Sequence, residues 1–336
     1  MFFAELGATV LKIENKNTGG DVTRGWKSPA EDPNAPISAY FCSVNWGKQH
    51  LFLDLYDPAE AQQAVALALS ADVVVSNFKP SSARKMGIDA ENLRARNPRL
   101  IYAQLNAFAD PEDESPAFDM VLQAEAGFLY MCGAADGPPV RMPVAFIDTL
   151  AAHQLKEGIL MALLQRAHNG EGAVVTCSLM ESALASLVNQ ASNYLNTGVV
   201  PQRMGTAHPN IAPYGDIFTC ADGASILLAV GTERQFRRLC AALQMENLLE
   251  NPDYQTNAAR VIHRPALNTL LAQVIGTRSI ENLLQTFKQA GVPAARIRDM
   301  RAVFELPEAR AMVLSETTEE GLETKRMRTV AFDIKF

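Results

Sequence analysis

The apolar run DVVVSNF at residues 72–78 constrains the fold most, because it is short, nearly continuous and ends in polar residues. Such a run is typical of a strand buried on both faces of a parallel sheet. The segment before it, 58–71, begins with proline and places its apolar residues at helical spacing. The recurring strand–helix–strand order with short connections predicts an α/β fold with a parallel sheet. Further strands are predicted at 8–14, 50–55 and 99–108, and a short helix at 89–97.

Later segments predict longer helices and then a second domain. Residues 118–133 form one predicted helix, 149–166 a second and 178–195 a third, which opens on Ser178 with Glu181 as a capping box. After a Gly- and Pro-rich linker, a hairpin turns at Asp222-Gly223, and helices follow at 232–244, 258–275 and 279–290.

The order of elements predicts two domains. Residues 1–200, rejoined by about 301–336, form a large Rossmann-like domain with a parallel sheet. Residues 201–300 form a linker and a smaller α+β domain.

The composition excludes several classes of protein. A net charge of -7 is the opposite of the basic footprint of nucleic-acid-binding surfaces. The five cysteines are odd in number and widely spaced, which favours buried thiols in a reducing compartment. No apolar run is long enough to span a membrane, and the first residues lack the features of a secretory signal. We therefore expect a cytoplasmic protein with no nucleic-acid or membrane partner.

Familiar cofactor motifs are missing from the sequence. It has no G-x-G-x-x-G, no P-loop, no G-x-S-x-G and no H-E-x-x-H, and its five histidines show no metal-ligand spacing. We expect no metal site and no permanently bound cofactor.

Asp148 is the candidate that matters most. A long apolar helix is predicted to start at about Thr149, which makes Asp148 an N-cap that accepts amide hydrogens of the first turn. The same geometry suits a nucleophile, because a helix N-terminus stabilises a carboxylate and a carboxylate can attack an acyl carbon. Local reasoning leaves both interpretations open.

Two polar segments are weaker candidates. NFKP at 77–80 follows a predicted strand, where ligands bind in open α/β sheets, and Lys79 and Arg84 could meet phosphates there or simply be solvated. The rigid loop GTAHPNIAPYGDIF at 205–218 could line a site or only connect domains.

Taken in order, several motifs resemble one family over essentially the whole chain. They are ELGATVLKIENKNTGGDVTRGW, NWGKQHLFLDLYDPAEAQ, ADVVVSNFKPSSARKMGI, NPRLIYAQLNAF, FDMVLQAEAGF, GPPVRMPVAFIDTLAAHQLKEGILMALLQR and AHPNIAPYGDIF. The series is similar to the family III CoA-transferases, the group of formyl-CoA transferase and carnitine CoA-transferase.

The resemblance implies a reaction and a site. It implies that Asp148 attacks an acyl-CoA thioester, that CoA returns to form an aspartyl thioester, and that a small carboxylate such as oxalate, succinate, citramalate or carnitine carries CoA away. It places Asn77, Phe78, Lys79 and Arg84 along the CoA site and Gln123 near the reacting carboxylate. It also implies two chains interlocked like rings.

The chain departs from the family pattern in several places. The family's first strand and following loop should precede Met1, and its closing segment should follow Phe336, so we expect a chain truncated at both ends. Asn15 stands where relatives often carry a basic residue that touches CoA phosphate. The Gly-rich loop that covers the anhydride intermediate in formyl-CoA transferase has no counterpart in this chain. NAFADPEDES replaces the family's turn G-F-G-x-x-G-P.

Two other functions are compatible with the sequence. An α-methylacyl-CoA racemase shares the implied fold, but Phe118 stands where racemases carry a histidine base, and phenylalanine cannot take a proton. A catalytically idle remnant that binds CoA or only forms a dimer would explain the missing ends, whereas the intact Asp148 argues against it.

Overall fold

The computed structural model describes residues 1–110, 112–113, 115–318 and 321–335. The strands, numbered in chain order, are β1 Val10–Asn15, β2 Lys48–Leu53, β3 Val73–Ser76, β4 Ile101–Asn106, β5 Val174–Ser178, β6 Tyr214–Thr219, β7 Ser225–Ala229, β8 Ala294–Arg296, β9 Val313–Thr317 and β10 Glu323–Met327. The α-helices are α1 Phe2–Glu5, α2 Ala39–Asn45, α3 Pro58–Ser70, α4 Pro80–Met86, α5 Ala90–Arg96, α6 Asp119–Glu125, α7 Phe128–Met131, α8 Phe146–Asn169, α9 Leu179–Ala185, α10 Val188–Thr197, α11 Glu233–Leu243, α12 Asn257–Ile262, α13 Arg264–Ile275, α14 Ile280–Ala290, α15 Met300–Val303 and α16 Pro307–Ala311. Short 3₁₀ helices cover Lys16–Thr18, Val22–Gly25 and Glu246–Leu249.

The chain divides into two compact units. The first unit contains Met1–Phe118, Ile147–Leu184 and the residues from Arg301 onward, and the second contains Asp119–Phe146 and Ala185–Met300. The domain boundaries drawn from the sequence stay a prediction.

Parallel strands form the framework of the first unit. β3, β4 and β5 make one parallel sheet in that order, and β1 pairs with β2 as a separate parallel pair. Tyr102 of β4 lies opposite Val74 on one side and Val174 on the other, and Asn106 lies opposite Ser178. The carboxyl ends of these strands therefore meet at one edge of the sheet. The predicted α/β class with a parallel sheet is confirmed.

Helices cover both faces of this sheet because consecutive side chains of a strand point to opposite faces. Tyr102 packs with Leu93 of α5, whereas its neighbour Ala103 packs with Leu155 and Ile159 of α8. Burying one such leucine or isoleucine contributes about 1.5–3 kcal/mol. This two-sided burial applies to the first half of β4, whereas Val75 of β3 is 61% and Val174 of β5 is 48% exposed, so the predicted two-sided burial of the run at 72–78 is not complete.

A buried carboxylate closes the end of β1. The Glu14 carboxylate accepts two hydrogen bonds from the Arg24 guanidinium, at 2.8 and 2.9 Å, one from the Asp21 N–H at 2.7 Å, and lies 2.7 Å from Nδ1 of His50. Burial alone would raise the pKa of Glu14, but the hydrogen bonds from Arg24, Asp21 and His50 outweigh it and lower the pKa to about 2. The Arg24 guanidinium also stacks on Phe41 at 4.1 Å.

Glu14 predicts an acid-sensitive contribution to stability. Its folded pKa of about 2 lies below the usual 4.5, so the ionised carboxylate stabilises the fold above pH 4.5, and this contribution disappears as the pH falls towards 2. We expect the difference in unfolding free energy between wild type and Glu14→Gln to shrink over that interval. Urea unfolding at several pH values measures it, with Glu157→Gln at an exposed site as the control. A difference that stays constant with pH would contradict the assignment.

Two predicted helices are interrupted. The helix predicted over 118–133 breaks into α6 and α7 at Gly127, whose φ of 83° ends the first segment. The helix predicted over 178–195 breaks into α9 and α10, and Val188 has a φ of 42°. Ser178 ends β5, and its hydroxyl accepts the Glu181 N–H at 3.1 Å and donates to the Glu181 carboxylate at 2.7 Å. The predicted cap is therefore present, although its return bond goes to the hydroxyl.

The second unit contains an antiparallel sheet of β6, β7 and β8. The predicted turn at Asp222-Gly223 joins β6 to β7, with Gly223 at a φ of 78° and its N–H bonded to Cys220 O at 3.0 Å. β6 itself begins at Tyr214, inside the segment predicted as a linker. One apolar core joins this sheet to α11, α13 and α14 through Leu228, Leu239, Leu271 and Phe287, among others.

Candidate active site

The Asp148 carboxylate stands in the first turn of the longest described helix. α8 begins at Phe146 and has 24 residues, so Asp148 is its third residue and the predictions of a start at about Thr149 and of an N-cap are wrong. The helix starts earlier because Ile147 is fully buried and extends the apolar stripe of Ala151 and Leu155 upstream. The favourable effect of the helix N-terminus on a carboxylate still holds in the first turn. The Asp148 side chain is exposed.

The direction of α8 brings Asp148 to the carboxyl edge of the sheet. Asp148 precedes the buried Leu155 by seven residues, so both lie on the same stripe of the helix. The Cys177 thiol, near the end of β5, donates to Ala151 O at 3.7 Å. Further along α8, Gly158 faces Val175, which precedes Cys177 in β5, so α8 runs antiparallel to β5 and its first turn lies where the strands end. Ligands of open parallel sheets bind at this edge.

The segment from Asn77 to Arg84 lies at the same edge. Asn77, Phe78 and Lys79 follow β3 directly, and all three are exposed. Hydrogen bonds fix the turn, since the Phe78 N–H donates to Ser76 Oγ at 3.3 Å and Gln104 Nε2 donates to Phe78 O at 3.0 Å. Lys79 occupies the N-cap position of α4.

Arg84 lies on α4 and faces a cavity. Its guanidinium is about half exposed and makes one long ion pair with Glu112, at 3.8 Å. The cavity measures about 260 Å³. It is lined by Pro80, Ala83, Arg84, Asp89, Ala90, Glu91, Tyr102, Gln104, Asn106, Val174 and Thr176. Sequence reasoning missed Gln104, Asn106 and Thr176; polar residues late in two strands were the available signal.

Gln123 lies in the second unit and is fully buried. Its Nε2 donates to Asp119 Oδ2, and its Oε1 accepts the Met142 N–H at 3.0 Å. Gln123 therefore holds the segment that leads into α8 against α6. Asp119, which is 9% exposed, was also missed from the sequence. Of the predicted site residues, Asn77, Phe78, Lys79, Arg84 and Asp148 belong to the first unit, and Gln123 belongs to the second.

Other kinds of site find little support in the described part of the chain. No group of three or more His, Cys, Asp or Glu side chains within the described ranges could hold a metal ion. Among the helices that the structure describes, none is both long and apolar enough to cross a bilayer.

Comparisons with known proteins agree with the sequence motifs. The family model for CoA-transferase family III matches residues 1–336. Succinate–glutarate CoA-transferase of Agrobacterium fabrum is 35% identical, over 97% of this chain and 82% of the relative. Human succinyl-CoA:glutarate CoA-transferase is 32% identical, over 92% and 69%. The crystal structure of a CAIB/BAIF family protein from Brucella suis, 34% identical, superposes with a TM-score of 0.81 over 100% of this chain and 87% of that one. These matches confirm the resemblance.

Proposed function

The chain belongs to CoA-transferase family III, and from that membership we propose that it moves CoA from an acyl-CoA thioester to a small carboxylate through a covalent intermediate on Asp148. The exposed carboxylate in the first turn of α8, at the carboxyl edge of the parallel sheet, is the observation that carries the proposal. A nucleophile at this position is open to a bulky thioester, and the helix N-terminus stabilises its charge between turnovers.

The reaction proceeds through two kinds of acyl-enzyme. An oxygen of Asp148 attacks the thioester carbonyl, the C–S bond breaks, and CoA thiolate leaves a mixed anhydride. The thiolate then attacks the Asp148 carbonyl and expels the donor's carboxylate, which leaves an aspartyl-CoA thioester. The acceptor carboxylate attacks this thioester, CoA thiolate leaves again, and its attack on the acceptor's acyl carbon releases the new thioester and free Asp148.

The chain's own groups supply what this chemistry needs. Each tetrahedral intermediate carries an oxyanion, and hydrogen-bond donors placed in advance lower its energy. Backbone N–H groups at the start of α8 are the candidates in this chain, because they form the positive end of the helix dipole. Every step is an acyl transfer, so the mechanism requires neither a metal nor a redox cofactor.

Asn77, Phe78, Lys79 and Arg84 are proposed to bind CoA. Their support is their common position after β3, the exposure of the Lys79 and Arg84 side chains and the cavity beside α4. The cationic side chains suit the phosphates of CoA. Gln123 is proposed to act near the reacting carboxylate, as the family resemblance implies.

The substrates follow from the named relatives. Succinate and glutarate stand in the names of two of them, so we propose a dicarboxylate acceptor and a dicarboxylyl-CoA donor. Incubation with succinyl-CoA and glutarate, followed by mass spectrometry, should reveal glutaryl-CoA that is absent when either substrate is omitted. Failure to form a new CoA ester across a panel of donors and acceptors would refute the transferase assignment.

Mass spectrometry of the CoA esters also distinguishes the two rival functions. A racemase would exchange the α-proton of a 2-methylacyl-CoA with solvent deuterium without moving CoA. An idle remnant would bind CoA and give neither product. Phe118, where racemases carry their base, has a side chain that is 69% exposed and cannot take a proton.

We also propose that the enzyme is a homodimer, interlocked as the family resemblance implies, and that it works in the cytoplasm. Large exposed apolar side chains, such as Met161 at 66% and Leu195 at 78%, support association with another chain. The five cysteines are all free, which fits a reducing compartment.

Arg84 provides a prediction for CoA binding. Arg84→Ala removes an exposed cation whose ion pair with Glu112 is long, at 3.8 Å, so we expect the KM for acyl-CoA to rise about tenfold, the loss of one charge-assisted hydrogen bond. kcat should stay the same, because the contact acts equally in the ground state and the transition state. Lys85→Ala, at the next and also exposed position of α4, is the matched control and should leave the KM within about twofold. Equal KM values for both variants and wild type would remove Arg84 from the CoA site.

A further inference from the structure

α8 packs very closely against the parallel sheet of the first unit at one residue. Gly158 lies in the middle of the helix and faces Val175 of β5. A Cβ atom placed on Gly158 would come within 2.5 Å of Val175 Cγ1, far inside van der Waals contact. On either side of this point, Leu155 and Ile159 are buried, at 7% and 2% exposure. The helix can therefore lie this close to β5 only because residue 158 has no side chain.

Glycine is otherwise an unfavourable residue at position 158, in the middle of a helix. Within a helix, only proline destabilises more than glycine, because glycine loses the most backbone freedom on folding. The φ of Gly158 is not in the left-handed region, so backbone geometry does not require glycine there. The contact with Val175 is the reason that the structure provides.

The contact between Gly158 and Val175 fixes the position of Asp148, because both Gly158 and Asp148 belong to one rigid helix. The two residues are ten positions apart in one continuous helix, which corresponds to about 15 Å. A second contact, from the Cys177 thiol to Ala151 O at 3.7 Å, fixes the helix one turn after Asp148. Both contacts are made with β5. An added methyl group at residue 158 would therefore move α8 away from this strand and displace its first turn, which carries Asp148.

We propose that Gly158 is a positioning residue for the Asp148 nucleophile. The inference rests on the proposed function, and it adds a residue that lies almost three helical turns away from the reacting atoms. The carboxylate has to meet a thioester carbon held by other parts of the chain. A displacement of about 1 Å is enough to cost about 100-fold in rate in such an arrangement.

The test is a variant with a designed compensation. Gly158→Ala should lower kcat by about 10-fold to 100-fold while the KM for succinyl-CoA stays within about twofold, because the residues proposed to bind CoA follow β3 and are not part of α8. Val175→Ala removes both methyl groups that the new Cβ would meet. We expect Gly158→Ala/Val175→Ala to recover kcat to within about threefold of Val175→Ala alone, a rescue that a general loss of stability would not give. Gln154→Ala, at an exposed position of α8, controls for adding alanine to this helix.

The outcomes separate this role from the proposed function. An active wild type with a folded Gly158→Ala of unchanged kcat overturns the positioning role alone. If Gly158→Ala does not fold, the double variant decides, and a folded double variant as inactive as Asp148→Ala also overturns it. A wild type that makes no new CoA ester overturns the proposed function and this role together.

Discussion

Replacing Asp148 with alanine should lower the rate of CoA transfer by about 10⁴-fold or more, the order of loss when an enzyme's nucleophile is removed. The expected loss is in kcat, because the variant lacks the carboxylate on which the covalent intermediate is proposed to form. Asp148 is exposed, so its removal leaves no buried cavity, and the loss of its favourable interaction with the helix N-terminus costs about 0.3–1 kcal/mol. Steady-state assays with succinyl-CoA and glutarate measure the rate, and thermal unfolding measures the fold.

Two controls make this result specific. Asp148→Asn keeps the size of the side chain and removes the anionic nucleophile, so it should be as inactive as Asp148→Ala. Gln154→Ala, on the same helix, should keep wild-type activity. If Asp148→Ala retained more than about a tenth of the wild-type rate, Asp148 could not be the covalent nucleophile.

Arg260→Ala should have the largest effect on stability, a loss of about 2–5 kcal/mol, because an unsatisfied buried carbonyl costs about 1–3 kcal/mol and two carbonyls lose their donor. The Arg260 side chain is 2% exposed, and its guanidinium donates to Ala212 O and Tyr254 O, both at 2.9 Å. It also donates to both oxygens of Glu233, at 2.9 and 3.0 Å. The guanidinium stacks on Phe236 at 4.1 Å. Alanine removes all of these contacts and leaves two buried carbonyl groups without that donor.

The loss should appear first in the second unit, where all of these partners lie. Amide hydrogen exchange should show faster opening around α11 and α12, and thermal unfolding should begin at a lower temperature. Arg237→Ala is the matched control, since it removes an exposed arginine from α11 and should change stability by less than about 0.5 kcal/mol. Equal stability of the two variants would show that the hydrogen bonds of Arg260 make no net contribution to the free energy of unfolding.

Much of the first unit was predictable because its signals are local. The apolar run at 72–78 indicates a parallel strand, and β3 is one. Its predicted burial on both faces is only partly correct, because Val73 and Val74 pack against the clusters of the first unit whereas Val75 is 61% exposed. The turn at Asp222-Gly223 was equally readable, since only glycine adopts a φ of 78° without cost. Each of these features depends on a few adjacent residues.

The start of α8 was mispredicted for a physical reason. An aspartate before an apolar helix is a strong local cap signal, and this signal pointed to Asp148. The structure places the boundary three residues earlier because burying Ile147 in the apolar stripe of α8 stabilises almost one additional turn. The burial of Ile147 outweighed the capping preference of Asp148. A short stretch of sequence does not show which of its apolar residues the fold will bury.

Residues that act through distant partners were not predictable. Gln123 meets Met142 across nineteen positions, and Arg260 meets Ala212 across forty-eight. Gly158 appeared in the sequence only as a glycine inside a helix, and its meaning depends on Val175 of a strand that comes later in the chain. Such pairs become visible only when the fold brings their elements together.

The most direct test of the central claim is chemical trapping of the covalent intermediate. The protein is incubated with succinyl-CoA alone and then treated with hydroxylamine, which attacks an activated aspartyl carbonyl and leaves a hydroxamate. Peptide mass spectrometry should locate the modification on Asp148, only when succinyl-CoA is present and never in Asp148→Asn. Rapid CoA transfer without any modification at Asp148, or with the adduct on another residue, would contradict the account.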